Sequence, residues 1–291
     1  MTLVGKVSNL PHAISQSFRQ YFLLMSAVLL FGCSSSAQQP AQTTTSGQQT
    51  DSIATDTVTK VIALLGDSMT WIGGDDCEKD TGWSYYLKRH NPTWSVETYA
   101  RSGATWTNTA VTKGDVKAYS AILDNENVIY NQVRRLIEAV ESNQAKTPNL
   151  IVVFAGGNDA MFSRRRPGMY NTIVLPEGSV ENCHPSKYTS LASSVELGCR
   201  LLREHFPDAR ILLVTPTEMS KVAPAAVNQV GDVIENTGKK LGIEVLRADK
   251  NINIRHNVEK IKPHKYTYDG IHSNPEGAKL IATYIIGNIE N

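Results

Sequence analysis

The chain of 291 residues is 41% hydrophobic and 20% charged, which supplies a full core for one or two domains and excludes collagen, coiled coil and wholesale disorder. Its 29 Lys and Arg against 28 Asp and Glu leave a net charge of +1, which argues against a nucleic-acid binder built on a cationic face. Four cysteines, at 33, 77, 183 and 199, are too few for a disulfide scaffold and include no C-x-x-C pair of the kind that holds zinc.

Residues 21–32, YFLLMSAVLLFG, form an apolar run preceded by Lys6 and Arg19 and free of acidic residues. A bilayer-spanning helix needs about 20 apolar residues, so the run suits the h-region of a secretory signal instead. It ends in Leu30-Phe31-Gly32-Cys33, which closes the signal region 1–33, resembles the lipobox of bacterial lipoproteins and implies that Cys33 is acylated and that the signal ahead of it is cut off. That removal takes two positive charges, leaving 27 basic against 28 acidic side chains and a net charge of −1. Residues 34–59 are rich in Ser, Thr and Gln and cannot bury enough apolar surface to offset their conformational entropy, so a disordered tether is expected. The expected location is outside the cytoplasm, anchored by lipid to a bacterial membrane and facing the periplasm or the cell surface. The anchor is the only expected membrane contact.

From residue 60 to residue 291 short apolar or β-branched runs alternate with amphipathic helical patterns, as in a parallel sheet covered on both faces. Strands are predicted at 61–66 (VIALLG), 95–100 (SVETYA), 150–155 (LIVVFA), 210–215 (RILLVT) and 243–247 (IEVLR). Helices are predicted at 82–90, 128–142, 188–206, 225–241 and 275–289. Asn274-Pro275 opens the last with a capping side chain followed by Pro at the first helical position. These elements predict one doubly wound α/β domain.

In open α/β sheets ligands bind beyond the carboxyl ends of the strands. Three of those ends carry Gly66-Asp67-Ser68, Arg101-Ser102-Gly103 and Gly156-Gly157-Asn158-Asp159, and Asp269-Gly270-Ile271-His272 stands just ahead of the last helix. This set holds the parts of an acyl-transfer site. A serine hydroxyl needs an imidazole to take its proton, and the imidazole needs a carboxylate to fix its tautomer. The oxyanion of the tetrahedral intermediate needs fixed N–H donors, which the Ser68 and Gly103 backbone and the Asn158 amide offer. G-x-S-x-G, P-loop, G-x-G-x-x-G and H-E-x-x-H motifs are absent from the chain.

These four blocks resemble those of the SGNH hydrolases, or GDSL esterases, in order and spacing across residues 60–291. Thr81-Gly82-Trp83 followed by Tyr85-Tyr86-Leu87 resembles the segment that follows the family's first block, whereas Thr98 and Ala100 stand where its second block carries Asn and Gly. The resemblance implies a flavodoxin-like three-layer α/β/α sandwich with strand order 2-1-3-4-5. It also implies a catalytic triad of Ser68, Asp269 and His272, an oxyanion hole with Gly103 and Asn158, and no metal or organic cofactor.

Asp67 is expected to cap the helix after it, Asp159 to be structural, and His90, His184, His205 and His256 to lie outside the site, with His264 a neighbour of the triad loop. Trp71 and Trp106 are candidate platforms for a sugar ring or packing for the rim. Long insertions at 104–127 and 160–187 are expected to shape specificity, and Arg164-Arg165-Arg166 in the second is a candidate anion contact or a solvated surface, with Arg164 taken as the substrate-binding candidate. Cys199 reads as buried, and a Cys77–Cys183 disulfide is a further expectation. The function expected is hydrolysis of a small acyl ester, above all acetyl, on a small-molecule or glycan substrate by a monomer. The alternatives are a lipase, thioesterase or lysophospholipase and a non-catalytic glycan-binding lipoprotein.

Overall fold

The computed structural model describes residues 58–117 and 119–290. The expected signal, Cys33 and nearly all of the tether lie outside them.

Five strands, β1 (Lys60–Gly66), β2 (Trp94–Thr98), β3 (Leu150–Phe154), β4 (Arg210–Val214) and β5 (Glu244–Leu246), form one parallel sheet in the order β2-β1-β3-β4-β5. The five long helices are α2 (Trp83–His90), α3 (Ile129–Glu141), α5 (Leu191–His205), α6 (Pro224–Leu241) and α9 (Pro275–Ile289). Four short helices, α1 (Ser68–Trp71), α4 (Gly157–Met161), α7 (Ala248–Asn251) and α8 (His256–Glu259), complete the set among the described residues. All five predicted strands and all five predicted long helices are present, with ends shifted by at most three residues.

Successive side chains of a strand point to opposite faces, and the sheet sorts its core accordingly. Ala63, Leu65, Ile151, Val153, Ile211 and Leu213 pack with α3, α5 and α6. Ile62, Leu64, Leu150, Val152, Leu212 and Val214 pack with α2, α7 and α9 on the other face. This is the three-layer sandwich the resemblance implies. The central strand β3 is buried at every residue, which is why its sequence is a continuous apolar run.

Helix ends follow local chemistry. The Ser190 hydroxyl and Ser193 cap one another at the start of α5, which places that start at 191 rather than 188. The Asn274 side chain accepts from Gly277 N–H, and Pro275 opens α9.

Two expectations fail here. Cys77 packs in the core on the α2/α9 side, whereas Cys183 packs against the α3/α5/α6 side, and both thiols are free. A disulfide needs Cα atoms within about 7 Å, which opposite faces of a sheet do not allow. Trp106 is 1% exposed and sits in the α3/α5/α6 core, its ring edge filling the space that Gly198 leaves open on α5. It is a core side chain, not a platform for substrate.

Candidate active site

Strand β1 delivers the chain to the site. A Cβ on Gly66 would lie 2.3 Å from the Phe154 carbonyl oxygen, so only glycine lets β1 end this close to β3. The buried Gln132 amide, from the first turn of α3, accepts from Gly66 N–H and donates to Gly66 C=O, both at 2.8 Å. Asp67 then caps α1 by accepting from Met69 N–H at 3.0 Å, as expected. Ser68 follows as the first residue of α1, only 7% exposed.

The loop after β2 is brought alongside by hydrogen bonds that extend the β1–β2 pairing, Tyr99 N–H to Leu64 C=O at 2.8 Å and Arg101 N–H to Gly66 C=O at 3.1 Å. Two residues later Gly103 adopts φ +81°, and a Cβ there would meet the Ile122 carbonyl carbon at 2.4 Å. Both the conformation and the space require glycine. The Asn127 amide donates to Ser102 C=O and Ile122 C=O at 2.7 and 2.8 Å, clamping the loop on either side of Gly103.

Strand β3 supplies α4 and with it Asn158, whose amide donates to Ala104 C=O at 2.9 Å. An amide has two N–H donors, so this bond fixes the plane of the side chain and leaves the second donor for a ligand. Asp159 is fully buried and accepts from Trp106 N–H, Thr107 N–H and the Thr107 hydroxyl at 2.9, 2.9 and 2.6 Å. Its structural reading is correct and has a specific content, because it ties the loop after Gly103 to α4.

The fourth block completes the arrangement. His272 Nε2 lies 3.0 Å from Ser68 Oγ, and His272 Nδ1 lies 2.9 Å from Asp269 Oδ2. Asp269 Oδ1 also accepts from the backbone N–H groups of Ile271 and His272 at 3.0 and 2.8 Å. The loop is braced from behind by Glu259 of α8, which accepts from Tyr266 N–H and the Thr267 hydroxyl, while Thr267 Oγ1 accepts from Gly270 N–H. Ser220 N–H donates to Gly270 C=O at 2.8 Å, and the Ser273 hydroxyl to Thr81 C=O at 2.7 Å.

The carboxyl groups differ in their surroundings. Burial pushes Asp67 up from 3.8 to about 6, against the Met69 N–H, with the charge of Asp159 adding to the rise. Burial also raises Asp159, opposed by its bonds to Thr107 and Trp106. Partial burial tends to raise Asp269 too, but its backbone and side-chain bonds to His272 together outweigh it and hold the carboxyl below its ordinary value. Asp269 is therefore an ionised partner for the imidazole at neutral pH, as orientation of a histidine requires.

The structure thus joins Ser68, His272 and Asp269 by direct hydrogen bonds and places the Gly103 and Asn158 loops in the same bonded network. Trp71, three residues after Ser68 on α1, is half-buried. Arg164 is exposed in the turn after α4, but Arg166 is buried and donates to Asp124 C=O, so the arginine triplet does not act as one patch. His264 borders a cavity beside Asp269 and hydrogen-bonds Glu259 C=O. Gln132, Asn127 and Glu259 carry no motif in the sequence. The only sign of the first is a buried-face position at the start of a helix pattern that reads Ile129-Tyr130-Asn131-Gln132-Val133.

The sheet and this arrangement define a flavodoxin-like α/β sandwich that carries a hydrolase-type serine, histidine and aspartate at the carboxyl end of its strands. Residues 64–280 match the GDSL-like lipase/acylhydrolase family, to which the chain belongs, and it is accordingly a hydrolase of ester bonds. Among solved structures, an acetyl xylan esterase, AlAXEase, is 16% identical, with 79% of this chain and 99% of that one covered and a TM-score of 0.52. A protein from Lactobacillus plantarum is also 16% identical, covering 79% of this chain and 96% of its own at a TM-score of 0.53. These structures share the fold. No curated protein matches the chain.

Proposed function

We propose that the chain is a serine esterase that removes a small acyl group, above all acetyl, from a carbohydrate, and that it works outside the cytoplasm on a lipid anchor at Cys33. The observation that carries the catalytic part is the hydrogen-bonded line from Ser68 Oγ through His272 to Asp269, at 3.0 and 2.9 Å.

Ser68 Oγ forms a bond to the ester carbonyl carbon while His272 Nε2 takes the hydroxyl proton and Asp269 steadies the imidazolium. Negative charge collects on the former carbonyl oxygen, where Ser68 N–H, Gly103 N–H and the free N–H of Asn158 donate; one such donor is worth about 2.7–4 kcal/mol of barrier. The carbon–oxygen bond to the alcohol breaks as His272 returns the proton to that alcohol. Water then attacks the acyl-enzyme with His272 as base, releasing the acid and restoring Ser68.

The carbohydrate part rests on the surroundings. The cavity bordering Asp269 is lined by lysines, hydroxyls, His264 and Asn274 beside Pro263, a lining suited to a hydroxylated alcohol. Trp71, on the helix that begins with Ser68, offers an indole surface for a sugar ring. Cleavage of the signal ahead of Cys33 and acylation of Cys33 would hold the domain at a membrane through the tether, since each buried methylene contributes about 0.8 kcal/mol.

The test is a series of aryl esters from acetate to laurate, followed by acetate release from acetylated oligosaccharides. The expected result is kcat/KM falling by about tenfold or more beyond four carbons, together with release of acetate from at least one glycan. A maximum at laurate would contradict the proposal and favour a lipase.

A further inference from the structure

A cavity of about 720 Å³ opens on the side of the triad loop that carries Asp269. Its size is ordinary for a small-ligand site. Three of its lining residues are lysines from two segments: Lys221 after β4, and Lys260 and Lys262 in the stretch that follows α8. Ser220 and the 62% exposed Tyr268 line it as well.

Among the described residues Lys88, Lys239, Lys240 and Lys250 sit within 4 Å of a carboxylate, and Lys221, Lys260 and Lys262 belong to the unpaired majority. The nearby acids have their oxygens bound, but Asp269, which also lines the cavity, keeps its negative charge and offsets one of the three cations. Both Glu259 oxygens face Tyr266 and Thr267, and the Asp269 carboxylate accepts from Ile271 and His272. Three ammonium groups bordering one hollow against the single carboxylate of Asp269 leave it net positive. A bound anion balances that charge, the Ser220 hydroxyl offers a donor, and the Tyr268 ring offers a face on which a sugar packs.

We infer that this cavity is a subsite for an anionic sugar, one carrying a carboxylate or a phosphate, and that it selects acidic glycans as the alcohol side of the ester. The selection of substrate rests on the esterase proposal above; the binding of the anion does not.

The experiment measures calorimetric binding of trigalacturonate, glucose 6-phosphate and neutral xylotriose to the full chain. None carries an ester, so binding is read without turnover. Trigalacturonate or glucose 6-phosphate is expected to bind about tenfold more tightly than xylotriose, a difference of about 1.4 kcal/mol, and the better of the two identifies the anion. Added salt weakens it, and Lys221→Gln/Lys260→Gln/Lys262→Gln, with an unchanged melting temperature, abolishes the difference. On acetylated galacturonate and xylose oligomers, the wild-type ratio of kcat/KM favours the acidic one and falls toward one in the triple variant.

Equal affinity for acidic and neutral sugars overturns the inference, as does a preference that survives the triple substitution. Binding to vesicles of anionic lipid with none to either acidic sugar overturns it too. Anion binding by a chain that cleaves no acetyl ester would refute the esterase proposal and leave the subsite standing. Cleavage of acetyl esters without anion binding would do the reverse.

Discussion

The two halves of the proposed active site are held in different ways. Ser68 belongs to a buried region in which Gln132 bonds the end of β1 to α3, Asp67 caps α1, and Asp159 bonds the segment after β2 to that after β3. Asp269 and His272 belong to a loop whose side chains are 43% and 35% exposed, braced mainly from behind by Glu259, Thr267 and Ser220. The first half contains the expected oxyanion donors, whose value depends on their being in place before charge develops. The second must accept and return a proton in each half-reaction, and its bonds to His272, set against only partial burial, keep Asp269 ionised. Burial is thus concentrated on the side where geometry matters most.

Removing the buried ties should therefore harm the first half severely. Asp159→Ala strands the N–H groups of Trp106 and Thr107 inside the core, and each stranded group costs about 1–3 kcal/mol. Chemical denaturation should show a loss of about 3 kcal/mol, with kcat for an aryl acetate down by about 100-fold as the Trp106–Thr107 segment loses its tie to α4. Near-normal stability and turnover would mean that the buried half is not assembled through Asp159.

Asp67 sharpens the same comparison through pH. Its folded value of about 6 stands above the ordinary 3.8, so between those values the unfolded chain ionises first. Below 3.8 the carboxyl is protonated in both states, and as pH rises through 6 the wild type loses stability relative to Asp67→Asn, which keeps a capping side chain. The gap, at about 1.4 kcal/mol per pH unit, makes this loss on the order of 3 kcal/mol. Melts of both proteins from pH 4 to pH 8 would read it, and parallel curves would remove Asp67 from the account.

The same division governs what the sequence discloses. Strands β1, β3 and β4 are legible because burial on both faces demands uninterrupted apolar runs, and α9 is legible because Asn274-Pro275 marks its start. The four blocks are legible because each closes a strand or precedes a helix. Gln132 is not, since its contact with Gly66 spans 66 residues and exists only after α3 packs on the sheet. Trp106 is misplaced because proximity to Gly103 in sequence does not say which way an indole turns. The Cys77–Cys183 expectation fails for a related reason, because both follow strand ends yet lie on opposite faces. The lysines of the Asp269 cavity come together only through the folds of two loops and α8.

The central claim is that Ser68, activated by His272, attacks the acyl carbon. The direct measurement is labelling of the purified chain with a fluorophosphonate, which reacts with an activated serine, followed by peptide mass spectrometry. The account predicts one label, on Ser68, lost in Ser68→Ala and slowed by about 1,000-fold or more in His272→Ala, with folded circular dichroism spectra in both. No label on Ser68, or undiminished labelling at that residue in His272→Ala, would contradict it.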